Sequence, residues 1–253
     1  MFQSSKKKLS KANANANANA NASTSNQAPI PSSPSNPPNT SSSTPVPQQQ
    51  EQKQNPSLPP ILQDGRPLPR LFVFDLDYTL WPFWVDTHVV PPLKINASHT
   101  VATDRTGEEF RFYSDVPSIL WSLGQVSSPG IKMGVASRTC SPDLGREMLK
   151  LLHVGPPVDE NGLPLAGVGK KDRPKKAVDF FHQMEIYPSS KIKHFQNLAK
   201  RTGIPYSDML FFDDESRNRE VASLGVTFWL VRDGTDWDEV EKGILQWRKN
   251  NGK

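Results

Sequence analysis

Four short stretches hold residue types that could do chemistry together. Two aspartates stand one residue apart in Asp75-Leu76-Asp77-Tyr78-Thr79, directly after the apolar run Leu71–Phe74. Ser137, Arg138 and Thr139 follow a second apolar run over 131–136. Lys191 opens a helix-like stretch, and Asp213 and Asp214 follow a third apolar run over 209–212. Clustered carboxylates repel one another and are tolerable when a divalent cation neutralises them. Hard oxygen donors without a His or Cys cluster favour Mg²⁺ over Zn²⁺. A metal, a lysine, a hydroxyl donor and a carboxylate nucleophile are the parts of phosphoryl transfer through an aspartyl-phosphate.

The elements that must position these groups alternate between strand and helix. Runs at 71–74, 131–136, 209–212 and 226–231 read as buried strands. Helices are expected over 116–123, 142–152, 190–202, 215–224 and 236–248, with Ser141 and Ser189 or Ser190 as caps and Gly203 past an end. The segment 177–184 reads as a short helix or the lead into a strand. Such alternation predicts an α/β fold, a parallel sheet with helices on both faces. Ligands then sit beyond the carboxyl ends of the strands, where the acids, Ser137 and Arg138 fall. Asp75 and Asp77 alternate along an extended segment, so the backbone must curl there for both to reach one site.

These motifs, in this order, resemble those of the haloacid dehalogenase (HAD) superfamily. The string FDLDYTLWPFWVDTH (residues 74–88) is similar to the opening of its magnesium-dependent phosphatase family, as are GVASRT, EIYPSSKI and FFDDESRN further on. The resemblance covers roughly residues 70–232. It implies a Rossmann-like HAD fold with a small flap-type cap, for which 81–113 has the right length. It also implies a Mg²⁺-dependent phosphomonoesterase, with phosphotyrosine or a small sugar phosphate as substrate. In that reading Asp75 is the nucleophile and Asp77 the general acid and base. Lys191 neutralises the phosphoryl group, with Lys193 as its competitor two residues on. Ser137, Arg138 and Thr79 form the phosphate side, Thr79 by steadying the curl through a side-chain to backbone hydrogen bond. Asp75, Asp77 (through its main-chain carbonyl), Asp213 and Asp214 would hold the metal. The alternatives are a phosphotransferase or phosphomutase of the same fold, which needs a larger lid, or a non-catalytic binding protein, which has no need for both Asp75 and Asp77.

Other polar residues read as structural. His88 is expected to be structural, and His99, His153, His182 and His194 to lie at the surface. Trp81, Phe83 and Trp84 suit core or flap packing as well as a pocket wall. Cys140 lacks the HCx₅R setting of a cysteine phosphatase and reads as a bystander. The stretch 154–176, with Lys170, Lys171, Arg173, Lys175 and Lys176, reads as a surface insertion.

Composition assigns the rest of the chain. Of 253 residues, 30 are Lys or Arg and 26 Asp or Glu, and the pI is near 9.1. Residues 1–64 hold five lysines and two acids, so most of the excess charge belongs to that segment. The remainder is nearly neutral, which argues against nucleic acid as a partner. Residues 1–64 combine a basic cluster, an Ala-Asn repeat and a Pro-rich stretch, with Phe2 as the only aromatic. Such a segment buries too little apolar surface to order, so a disordered tail is expected before a domain spanning 65–253. Its proline spacing also fits a weak SH3-type contact. One cysteine excludes an intrachain disulfide framework, and no apolar run approaches the ~18 residues of a membrane span. A monomer in the cytoplasm is expected, with the nucleus in addition if the lysine cluster acts as an import signal.

Overall fold

All four side chains of β1 (Leu71–Phe74) are buried, so this strand must lie inside a sheet covered on both faces. The computed structural model describes residues 58–253 apart from 127–129, 160, 162, 166, 167 and 170. The expectations for residues 1–57 and for Lys170 lie outside the described residues. After β1 come α1 (Val85–His88), β2 (Lys94–Ile95), β3 (Ala102–Thr103), β4 (Glu109–Phe110), α2 (Val116–Gln125), β5 (Lys132–Ser137) and α3 (Pro142–Leu151). The chain continues through β6 (His153–Val154), β7 (Lys175–Lys176), β8 (Gln183–Ile186), α4 (Lys191–Thr202), β9 (Met209–Asp213), β10 (Thr227–Leu230) and α5 (Trp237–Asn250).

The main sheet has the order β10-β9-β1-β5-β8, and every neighbouring pair is parallel. Alternation along β1 divides the core. Phe72 and Phe74 pack with Leu120, Met148 and Ile244 on one face, and Leu71 and Val73 pack with Phe195, Leu198 and Val221 on the other. The chain runs from β1 to β5 and β8 on one side, then returns to β9 and β10 on the other. That reversal leaves a crevice at the carboxyl end of β1, the usual ligand position in such sheets. Among the described residues no helix is long and apolar enough to cross a membrane.

The helices end where local chemistry stops them. Ser190 caps α4 by accepting from Lys193 N–H at 3.2 Å, and Gly203 ends it in the left-handed region at φ 67°. Asp236 caps α5 by accepting from Glu239 N–H at 2.8 Å. Ser141 stands at the start of α3 but its hydroxyl makes no cap bond there. Gly243 lets α5 lie against the sheet, because a Cβ there would meet the Phe212 ring at 2.8 Å.

Two segments, 183–186 and 215–224, differ from the sequence reading, and two others gain detail. The flap over 81–113 is a three-stranded antiparallel meander, β2-β3-β4, preceded by α1. Residues 183–186 form a fifth strand of the main sheet, and Ser216–Leu224 is a 3₁₀ helix. The 154–176 stretch is pinned at its base by the antiparallel pair β6 and β7.

The folded body also starts before residue 65. Pro60–Leu62 forms a 3₁₀ turn that buries Ile61 and Leu62. Asp64 accepts from the almost fully buried Arg248 guanidinium at 2.6 and 2.9 Å. Composition misses this join because the partners lie 184 residues apart in the sequence. Burial pushes the Asp64 carboxyl up, but the bonds from Arg248 and Arg66 N–H outweigh it and hold its pKa below the ordinary 3.8. The contribution of Asp64 is therefore complete above that value and fades as pH falls through the lowered one. Asp64→Ala is expected to cost about 2 kcal/mol at pH 7, since Arg248 keeps its carbonyl acceptors but loses its counter-ion. Thermal melts at pH 7 and pH 3 check this, with the difference shrinking at the lower pH.

Candidate active site

The crevice is built from strand ends. Asp75 N–H donates to Phe212 O at 3.0 Å and closes the last rung of β1. The chain then curls, with Thr79 and Leu80 N–H donating to Leu76 O at 3.2 and 2.8 Å. Tyr78 takes φ 52°, a conformation that costs a non-glycine residue about 1–2 kcal/mol. The curl separates the two acids. Asp75 faces the neighbouring strands, while Asp77 Oδ1 accepts from Trp81 Nε1 at 2.7 Å and Val85 N–H at 3.2 Å. Burial pushes the Asp77 carboxyl up to about 6 despite those two bonds.

Lys191, the first residue of α4, is fully buried. Its Nζ lies 2.8 Å from Asp213 Oδ2 and 3.1 Å from Asp75 Oδ1, and donates to Ala136 O at 2.5 Å. A lysine at a helix N-terminus opposes the helix dipole. Glu220 offsets this by accepting from Lys191 N–H at 3.1 Å. Burial alone would lower the Lys191 pKa, but Asp75 and Asp213 outweigh it and raise it. Lys193 is exposed and turned away, so only Lys191 joins the site.

The carboxylates of Asp75, Asp213 and Asp214 can each bring an oxygen within 4.8 Å of the others. Burial first, and then the Asp213 charge, push Asp75 up to about 8 and Asp214 up to about 6. Asp75 Oδ1 is buried and receives no well-directed hydrogen bond despite the nearby lysine. An all-oxygen set of three carboxylates with an unsatisfied buried oxygen fits a hard divalent cation. The Asp77 carboxylate is not in this group, because Trp81 and Val85 hold it elsewhere. Only its main-chain carbonyl is left for the ligand role that the resemblance implies.

A cavity of about 410 Å³ opens beside these groups. Asp75, Asp77 and Asp214 line it, with Ser137, Arg138 and Thr139 facing them and Trp84, Asp86, Thr87, Glu215 and Arg217 towards the mouth. Ser137 ends β5 and is buried, and its Oγ accepts from Thr139 N–H at 3.4 Å. Thr79 is misplaced by the sequence reading. It is buried off the cavity and its hydroxyl has no hydrogen-bond partner. Main-chain bonds steady the curl instead, including Thr235 N–H to Thr79 O at 3.0 Å. His194 is also not at the surface. It is buried beside Lys191, with Nε2 3.0 Å from Tyr187 O, and burial pushes its pKa down to about 4.

Asn218 was not singled out by spacing or type. Its Nδ2 donates to both Asp213 oxygens, at 2.8 and 2.9 Å, and its Oδ1 accepts from Arg138 at 3.2 Å. It therefore ties the end of β9 to the end of β5. Its place inside FFDDESRN was the only available signal.

A family model for acid phosphatases matches residues 67–250. A HAD-like hydrolase superfamily protein of Schizosaccharomyces pombe is 44% identical over 161 residues, 63% of this chain and 84% of that protein. Magnesium-dependent phosphatase 1 of Homo sapiens is 40% identical over 183 residues, 72% of this chain and 89% of that protein. With the strand-end acids and the buried lysine in place, the chain belongs to the acid phosphatase family of HAD-like hydrolases.

Proposed function

We propose that this chain is a Mg²⁺-dependent phosphomonoesterase working through an aspartyl-phosphate on Asp75. The observation that carries the reading is Lys191, buried between Asp75 and Asp213 where a parallel sheet places its ligands. The name of the human relative supports the metal. A carboxylate oxygen of Asp75 attacks phosphorus and the ester P–O bond breaks. Asp77, with a pKa near 6, gives its proton to the leaving oxygen. It then takes a proton from the water that attacks the aspartyl-phosphate, releasing inorganic phosphate and restoring both acids. Ser137 and Arg138 hold phosphoryl oxygens, and Lys191 offsets the charge gathered at Asp75. Mg²⁺ held by Asp75, Asp213, Asp214 and the Asp77 carbonyl would neutralise the phosphoryl group.

The mouth supports an aryl ester. Trp84 is 49% exposed there, with Tyr78 edge-on at 5.0 Å and His88 stacked at 5.6 Å. The exposed part of the Trp84 indole supports contact with a planar leaving group, so phosphotyrosine leads over a small sugar phosphate. The flap, built from two-residue strands, leaves the site open to water, which favours hydrolysis over phosphotransfer. Phosphate release from an aryl phosphate should rise on adding Mg²⁺ and stop with a chelator. Among substrates, phosphotyrosine peptides should exceed sugar phosphates in kcat/KM. A folded chain without metal-stimulated release would overturn the reading.

A further inference from the structure

Two carboxylates that line the cavity, Asp86 and Glu215, have no part in the proposed reaction, and Asp86 is the one bonded to the loop that carries Ser137. Asp86 sits in the first turn of α1, where the flap leaves the body. Its Oδ2 accepts from Thr139 Oγ1 at 3.2 Å and from Cys140 N–H at 3.0 Å, and its Oδ1 accepts from Thr87 Oγ1 at 3.0 Å. Thr139 and Cys140 belong to the loop that follows Ser137. Within that loop Thr139 N–H donates to Ser137 Oγ, and Thr139 Oγ1 accepts from Ser141 N–H at 3.2 Å. One residue before Asp86, Val85 N–H donates to Asp77 Oδ1 at 3.2 Å. The same helical turn thus grips Asp77 with its main chain and the phosphate-side loop with a side chain.

We infer that Asp86 is a positioning residue that, through Thr139 and Cys140, fixes the Ser137 loop opposite Asp75 and sets flap and loop as one piece. The inference rests on the phosphatase reading above. The single hydroxyl proton of Thr139 goes to Asp86, which turns a lone pair toward Ser141 N–H. Ser137 Oγ accepts from Thr139 N–H, which leaves the Ser137 proton for an acceptor in the cavity. Charge-assisted bonds to a carboxylate are roughly twice as strong as neutral ones, so an amide at position 86 loosens the whole chain of contacts. A purely structural role is the rival, because Asp86 also serves the start of α3, where Ser141 makes no cap bond. That role would lower the melting temperature and spare kcat.

The test uses Asp86→Asn, Thr139→Val and the double variant in the full chain with Mg²⁺ and an aryl phosphate. Each single variant should lower kcat by about tenfold or more with KM within about threefold, because a misplacement of about 1 Å is costly in the transition state. The double variant should be no worse than the worse single one, as for two residues acting in series. Cys140 is the only cysteine and is exposed beside the contact, so its reaction with a thiol reagent reports the loop directly. It should react faster in Asp86→Asn at an unchanged melting temperature. Additive losses, an unchanged kcat, or losses that only track melting temperature would overturn the inference. If the wild-type chain released no phosphate, the phosphatase reading would fall, and equal thiol rates would still count separately against the positioning role of Asp86.

Discussion

Asp75→Asn is expected to reduce phosphate release to background, a loss of at least about 10⁴-fold, with a melting temperature equal to or above that of the wild type. The activity follows from chemistry. An amide is a poor nucleophile toward phosphorus, so no aspartyl-phosphate forms. The stability follows from the environment. Burial and the Asp213 charge push the Asp75 carboxyl up to about 8, even with Lys191 alongside. A carboxyl raised in the folded state supports folding only while protonated, so its contribution is lost as pH rises through that value. Removing the charge should therefore help most above pH 7 in metal-free protein, where Lys191 still has Asp213 as its partner at 2.8 Å. Melts at pH 6 and pH 8.5, with and without Mg²⁺, measure this. The wild type should gain more from the metal than the variant. Activity within about tenfold of wild type would remove Asp75 from the nucleophile role.

Lys191→Met should damage both activity and stability. Methionine fills a similar volume in a site with no solvent exposure, so packing is largely kept. What is lost is the one cation between two buried carboxylates. Breaking a buried pair costs about 3 kcal/mol or more because the partner charge is left uncompensated. For a domain of this size that is a drop of about 6–12 °C. The raised pKa keeps the lysine charged throughout the neutral range, so the penalty should not vanish between pH 6 and pH 8. Mg²⁺ should restore part of the melting temperature by replacing the missing positive charge. It should not restore turnover, which is expected to fall by about 10²–10³-fold with loss of a charge-stabilising group. A variant as stable and active as wild type would show that Asp75 and Asp213 do not need the lysine.

What could be read from the chain beforehand divides by the range of the signal. β1, β5, β9 and β10 announce themselves as apolar runs, and Asp75, Ser137, Arg138 and Asp213 stand where those runs end. β8 did not, because Gln183–Ile186 mixes polar and apolar residues on an edge strand. Its Glu185 is fully buried, answered by Tyr187 and Asn197 at 2.7 and 3.2 Å. Asn218 and Asp86 act through side-chain bonds whose partners no spacing rule connects. Thr79 shows the converse. Its place in the motif was plain, but whether a buried hydroxyl bonds or points into the core depends on packing that the local sequence does not encode. The 215–224 stretch has helical spacing, yet the bonds from Asn218 to Asp213 accompany a tighter 3₁₀ winding.

The contact of Arg248 with Asp64 has a topological side. Nearby, Arg66 Nη2 reaches Lys253 O at 3.4 Å, so the segments around residues 64–66 and 248–253 abut. A linker of a few residues would span that gap between the two segments. New ends cut at the exposed Asn161 would change the order in which strands leave the ribosome while keeping each strand's neighbours. Strand-end chemistry, in such a rearranged chain, would depend on adjacency in space alone.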